Sequence, residues 1–104
     1  MIRLGEKIIG ILGGMGPEAT ADLFMRIIRA TPVKRDQDHF RVIIDSNSKI
    51  ADRTPAVLGT GHSPLPTIVA TGKNLEQAGA DFLIMPCNTA HFFQSFGDNW
   101  VVTG

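Results

Sequence analysis

Residues 81–91, DFLIMPCNTAH, combine a short apolar run with the only cysteine of the chain. Phe82 to Met85 form a continuous apolar segment, which is typical of a strand buried on both faces. Cys87 follows within two residues, and Asn88 and Thr89 can begin a helix. This order predicts a thiol at a helix N-terminus, where backbone N–H groups and the helix dipole favour the thiolate. A buried cysteine that only fills the core is the alternative interpretation.

Strands and helices alternate along the rest of the chain. The predicted strands lie near residues 7–12, 40–45 and 81–86. The predicted helices run from Pro17 to about Arg29, from Pro64 to a cap at Gly79, and onward from Cys87 with apolar residues Phe92, Phe93 and Phe96. Alternation of this kind predicts the α/β class, with a parallel sheet, right-handed crossovers and flanking helices. Three strands are few for such a sheet, and residues 97–104 do not continue the helical pattern.

Composition limits the function classes. A chain of 104 residues is one domain at most, and its ten basic and ten acidic side chains give zero formal charge. Neither nucleic acid nor an anionic membrane surface is therefore an expected partner. One cysteine excludes an internal disulfide, and no signal peptide or membrane-spanning run is visible, so we expect a soluble cytoplasmic protein. The three histidines and the cysteine have no metal-site spacing, so no metal is expected.

The turn after the first predicted strand is a second candidate site. Residues 14–19, GMGPEA, fit the G-x-G-x-x-G/A dinucleotide fingerprint, and Asp45 at the end of the next strand could bind a ribose. Pro17 argues against this interpretation, because proline removes one backbone donor from the helix N-terminus that would hold the pyrophosphate. The glycines could also simply permit a tight turn. The interpretation that we favour is a small anionic ligand resting on the turn.

A polar loop and one histidine complete the candidates. The loop contains Asp52-Arg53-Thr54, and the planar guanidinium of an arginine suits a carboxylate ligand because it donates two parallel hydrogen bonds. An Asp-Arg pair of this kind is more often an ion pair at the surface. His91 lies one helical turn after the cysteine and could orient or acidify the thiol, or face the edge of the core.

Together these segments resemble the aspartate/glutamate racemase family, specifically its aspartate racemase branch. The resemblance rests on residues 9–17 (IGILGGMGP), 52–54 (DRT), 79–81 (GAD) and 85–91 (MPCNTAH), and it covers about residues 7 to 96. It implies an enzyme that needs no cofactor and is built from two similar α/β domains, with a small acidic amino acid bound between them. Each domain of such a racemase supplies one cysteine.

The resemblance also implies roles for particular residues. Cys87 would be one of two acid/base thiols, Arg53 would hold a substrate carboxylate, and Met15 would border the pocket. Three residues that follow the cysteine would line the substrate site: Asn88, Thr89 and Ala90. A thiol suits this chemistry because it can act as base or acid near neutral pH.

The resemblance extends over the first racemase domain only, residues 1–96, and residues 97–104 form an atypical tail. No second cysteine is present, so two-base racemisation by this chain alone is not expected. A surface that a partner domain covers in the family would be exposed, so we expect the chain to form a homo-oligomer. The alternative is a non-catalytic binding or interaction domain derived from a racemase.

Alkylation tests the interpretation of Cys87. At a helix N-terminus the thiol should react with iodoacetamide faster than free cysteine at neutral pH, because more of it is thiolate. Mass spectrometry measures the rate of labelling. Cys87→Ser is the control, because it has no other thiol that could be labelled. A rate at or below that of the free amino acid would favour the core-filling interpretation.

Overall fold

The computed structural model describes residues 7–50 and 63–86, together with the backbone of a strand at 100–103. The described strands form one parallel sheet in the order β2-β1-β3-β4. They are β1 (Ile8–Gly13), β2 (Arg41–Ser46), β3 (Phe82–Pro86) and β4 (Trp100–Thr103). Two helices accompany them, α1 (Pro17–Arg29) and α2 (Leu65–Gln77), and a short 3-10 turn lies at Asp36–Asp38. The predicted α/β class and parallel sheet are confirmed.

The strand β1 lies between β2 and β3. It pairs with β2 along its whole length, from Ile8 opposite Arg41 to Gly13 opposite Ser46. On its other edge, Ile9 to Ile11 lie opposite Phe82 to Ile84 of β3. The three predicted strands are confirmed to within about one residue at each end, because each is a short apolar run that the sheet buries.

The fourth strand was not predicted. Leu83 to Pro86 of β3 pair with Trp100 to Thr103, so the segment treated above as an atypical tail supplies an edge strand. Valine and tryptophan favour strands, but four residues are too few to show the alternation of apolar and polar side chains that distinguishes a strand from an irregular segment. The described sheet therefore contains the three predicted strands and one more.

The two helices cover opposite faces of the sheet. Successive strand residues point to opposite sides. Leu12 packs into a core cluster that includes Ile68 and Leu75 of α2. Its neighbour Gly13 faces the other way, since a Cβ there would collide with Thr20 of α1. The chain therefore crosses from β1 to β2 on one face and from β2 to β3 on the other, as right-handed crossovers require for this strand order.

The ends of both helices follow the sequence signals. Pro17 occupies the start of α1, where its missing N–H costs no helical hydrogen bond. After α2 the N–H of Ala80 donates to the carbonyl of Leu75, and that of Gly79 donates to the carbonyl of Glu76, both at 3.0 Å. Gly79 has a φ of +112°, which completes a Schellman cap and confirms the predicted stop.

The helix α1 buries less of its apolar face than its pattern suggests. Leu23, Ile27 and Ile28 are half-buried, whereas Phe24 and Met25 are 36% and 43% exposed. The buried residue of this helix is polar: Thr20, at 3% exposure. Within the described part of the chain, neither helix is both long and apolar enough to cross a membrane.

Asp81 joins the starts of β1 and β3. Its carboxylate accepts a hydrogen bond from the N–H of Ile8 at 2.6 Å, and its own N–H donates to the carbonyl of Ile8 at 2.8 Å. The backbone bond continues the ladder between the two central strands by one residue, and the carboxylate bond adds to it. Both bonds link positions that are 73 apart in sequence.

We expect Asp81→Ala to lower the free energy of unfolding by about 1 kcal/mol, because the Ile8 amide loses a charged acceptor. The corresponding shift in a thermal melt is about 4–8 °C for a domain of this size. Asp22→Ala is the control: it removes the same charge from an exposed i,i+4 pair with Arg26, which contributes little. Equal shifts in the two variants would contradict the prediction.

Candidate functional site

The carboxyl ends of the parallel strands share one edge of the sheet, and the segments after them form the candidate site. A glycine turn, residues 14–16, follows β1, and Asn47 follows β2. The chain leaves β1 toward one side of the sheet, to β2, and leaves β3 toward the other, to β4. Ligands of open α/β sheets bind at such a switch point, between neighbouring strands whose connections diverge. Cys87 is the next residue in sequence after β3.

Gly14 fixes the path of the glycine turn. Its φ of +99° lies in the left-handed region, which side chains rarely adopt, and a Cβ there would collide with the backbone of Asn47. The N–H of Asn47 donates to the carbonyl of Gly13 at 3.0 Å, so the ends of β1 and β2 remain joined beyond the sheet. The turn is therefore packed against the first residue after β2.

Thr20 holds the same turn from the side of α1. Its hydroxyl accepts a hydrogen bond from the N–H of Gly14 at 2.9 Å and donates to the carbonyl of Gly16 at 3.3 Å. Thus the end of β1 is bonded to Asn47, and the glycine turn that follows it is bonded to the first turn of α1.

Asn47 connects the edge to α2. Its Nδ2 donates to Oγ1 of Thr71 at 3.1 Å, and the Thr71 hydroxyl in turn donates to the carbonyl of Thr67 at 2.7 Å. Oδ1 of Asn47 accepts a hydrogen bond from the N–H of Lys49 at 3.0 Å. The next residue, Ile50, is buried in the core cluster. The segment that leads toward Arg53 therefore starts from a fixed turn.

The structure describes one of the predicted site residues, Met15. Its side chain is 4% exposed and belongs to the core cluster with Leu12. The prediction that it borders a substrate pocket stays a prediction. The remaining predicted site residues lie outside the described residues: Arg53, Cys87, Asn88, Thr89 and Ala90. Asp52, Thr54 and His91 lie outside them as well.

Two threonines at this edge were missed in the sequence. Thr20 and Thr71 both lie on the apolar stripes of their helices, since Thr20 is four residues before Phe24 and Thr71 three after Ile68. A hydroxyl on such a stripe has to find a partner when it is buried. A threonine at a helix position where the spacing predicts an apolar side chain is the signal that could have identified both residues.

Comparison with known proteins supports one family. Residues 12–95 match the family described as Asp/Glu/Hydantoin racemase. The chain is 32% identical to the broad specificity amino-acid racemase RacX of Bacillus subtilis (strain 168), over 83% of this chain and 39% of that racemase. Its fold is similar to that of the Picrophilus torridus aspartate racemase, with a TM-score of 0.82, 36% identity, and coverage of 92% of this chain and 43% of the other. The chain thus spans about two fifths of the length of these relatives.

The comparisons also bear on the glycine turn. The matched region begins at Leu12, so the turn falls within the racemase match. A dinucleotide is not needed to account for Gly14, because its φ of +99° and the collision of a Cβ with the Asn47 backbone already require a glycine there. A Cβ at Gly16 would meet nothing within 4 Å.

Asn47→Ala should lower the free energy of unfolding by about 1–2 kcal/mol, since it removes two side-chain hydrogen bonds worth roughly 1 kcal/mol each. Urea denaturation followed by circular dichroism measures the change. Ser48→Ala, at an exposed neighbouring position, is the control and should change stability by less than about 0.5 kcal/mol. If Asn47→Ala behaves like Ser48→Ala, the junction does not stabilise this edge.

Proposed function

We propose that this chain, which belongs to the Asp/Glu/hydantoin racemase family, forms one face of an active site. The site would racemise a small acidic amino acid, and Cys87 would be one of its acid/base groups. The observation that supports this most directly is topological. The strand β3 leads straight into Cys87 and lies beside β1, whose end forms the glycine turn at the switch point of the sheet.

The proposed reaction transfers one proton at a time. The Cys87 thiolate removes the α-proton of the substrate, and the electron pair left on the α-carbon delocalises into the substrate carboxylate. A proton donor on the opposite face then protonates that carbon, which inverts it. The Arg53 guanidinium stabilises the charge on the carboxylate, because its two parallel N–H groups match the two oxygens. This scheme requires no cofactor or metal.

The opposite proton donor lies outside this sequence in our proposal. The chain contains one cysteine and spans 39% and 43% of the two racemases compared above. We therefore assign one of two acid/base thiols to Cys87 and place the second on a polypeptide surface that faces it. The active thiol must be reduced, which supports a cytoplasmic location.

The proposed substrate is aspartate or glutamate. Arg53 is the group that would select a carboxylate, and Asn88, Thr89, Ala90 and Met15 would line the site around it. The similarity to a Picrophilus torridus aspartate racemase supports an acidic substrate. The similarity to a broad specificity amino-acid racemase favours a site that also accepts other side chains.

Deuterium exchange tests this proposal on the chain as it is. A single thiol that removes the α-proton and returns a deuteron from the same face should exchange the α-proton of L-aspartate in D2O with retention of configuration. We expect proton NMR to show exchange that is lost in Cys87→Ser, and chiral chromatography to show little D-aspartate. An unchanged α-proton signal with wild-type protein, or equal exchange in Cys87→Ser, would contradict the proposal.

An interaction domain derived from a racemase is the second candidate function. Exposed apolar side chains favour it: Phe24, Met25 and, on the edge strand β2, Ile44 at 37% exposure. Such side chains also support our proposal that the chain forms a homo-oligomer. An interaction domain of this kind would form oligomers without any Cys87-dependent exchange, so the same experiment separates the two functions.

A further inference from the structure

We propose that Thr20 is a positioning residue, which fixes the backbone of the glycine turn in the conformation that receives the substrate. This inference rests on the proposed function and assigns a role to a residue of α1 outside the predicted site. Thr20 is 3% exposed, so it acts on the substrate through the turn and does not touch it.

One hydroxyl spans the turn from end to end. It accepts from the N–H of Gly14 at 2.9 Å and donates to the carbonyl of Gly16 at 3.3 Å. The N–H of Thr20 also donates to that carbonyl at 3.3 Å. The two ends of the turn are therefore bonded to a single residue, which lies on a helix of 13 residues.

The methyl group of Thr20 packs beside the end of β1, immediately before the turn. A Cβ at Gly13 would collide with both Cγ2 and Oγ1 of Thr20, so this side chain fills the space beside the end of β1. Valine would keep the shape of Thr20 without the hydroxyl, and serine would keep the hydroxyl without the methyl group. The two functions of the side chain can therefore be separated by substitution.

The turn depends on this support because of its own composition. Two of its three residues are glycines, whose backbone has many accessible conformations. Gly14 is held at a φ of +99° between Thr20 on one side and the Asn47 backbone on the other. Without the hydroxyl its buried N–H loses its acceptor, and the turn relaxes away from the geometry that the substrate requires.

The experiment compares Thr20→Val and Thr20→Ser with Thr31→Val in the full chain. Thr31→Val is a matched control, because it removes a threonine hydroxyl that bonds the carbonyl of Ile27 at the opposite end of α1. The affinity for L-aspartate is measured by the protection of Cys87 from iodoacetamide, at a temperature where circular dichroism shows every variant to be folded. Thermal unfolding is recorded alongside.

Thr20→Val should weaken the apparent affinity for aspartate about tenfold, the size expected when a buried donor loses its partner. Thr20→Ser should restore the affinity to near that of the wild type, and Thr31→Val should leave it unchanged even where it lowers the melting temperature. The rate of alkylation without aspartate should be the same in all four proteins, because Thr20 acts on the turn and not on the thiol.

Wild-type affinity in Thr20→Val, or an equal loss in Thr31→Val, would overturn the positioning role alone. Absence of protection by aspartate in the unchanged chain would overturn the proposed function and this inference with it. If Thr20→Val does not fold, hydrogen exchange of the Gly14 amide in the wild type replaces it. Exchange that slows when aspartate is added supports the role, and exchange that is unaffected contradicts it.

Discussion

The strand β1 is hydrogen-bonded along both edges and covered by a helix on each face. It joins β2 on one edge and β3 on the other, while Gly13 faces α1 and Leu12 faces α2. The positions of β2, β3 and both helices are therefore all set by their contacts with this one strand. Its carboxyl end, from which the glycine turn starts, lies between β2 and β3.

The carboxyl edge is supported from both faces by buried threonines. Thr20 bonds the glycine turn directly from α1. Thr71 of α2 bonds the side chain of Asn47, whose backbone N–H donates to the carbonyl of Gly13 at the end of β1. Hydroxyls suit this work because each donates one hydrogen bond and accepts another. A turn rich in glycine thereby acquires a single conformation from its neighbours, and rigid support of this kind is what a site needs for precise placement of a substrate.

The sequence predicted the elements better than it predicted what holds them at the edge. Apolar runs such as Phe82 to Met85 identify their strands, and Pro17 and Gly79 mark helix ends through backbone chemistry that is local. The strand at Trp100–Thr103 was missed because its pairing with β3 identifies it as a strand, whereas its own four-residue pattern does not. Thr20 and Thr71 were missed for a related reason: their helical positions predict apolar side chains, and their partners come from other segments. Arg53 and Cys87 are recognised by residue type and family resemblance, which do not determine their coordinates.

The parallel arrangement also has a consequence for the chain during its synthesis. Ile8 is bonded to Asp81, 73 positions later, so one edge of β1 has no partner until β3 has been made. At ordinary rates of translation that interval is about 4–15 s. During that interval β1, which consists entirely of isoleucine, leucine and glycine, presents unpaired N–H and C=O groups to which strands of other molecules can add. The central position that protects β1 in the folded sheet thus leaves one of its edges unpaired in the nascent chain.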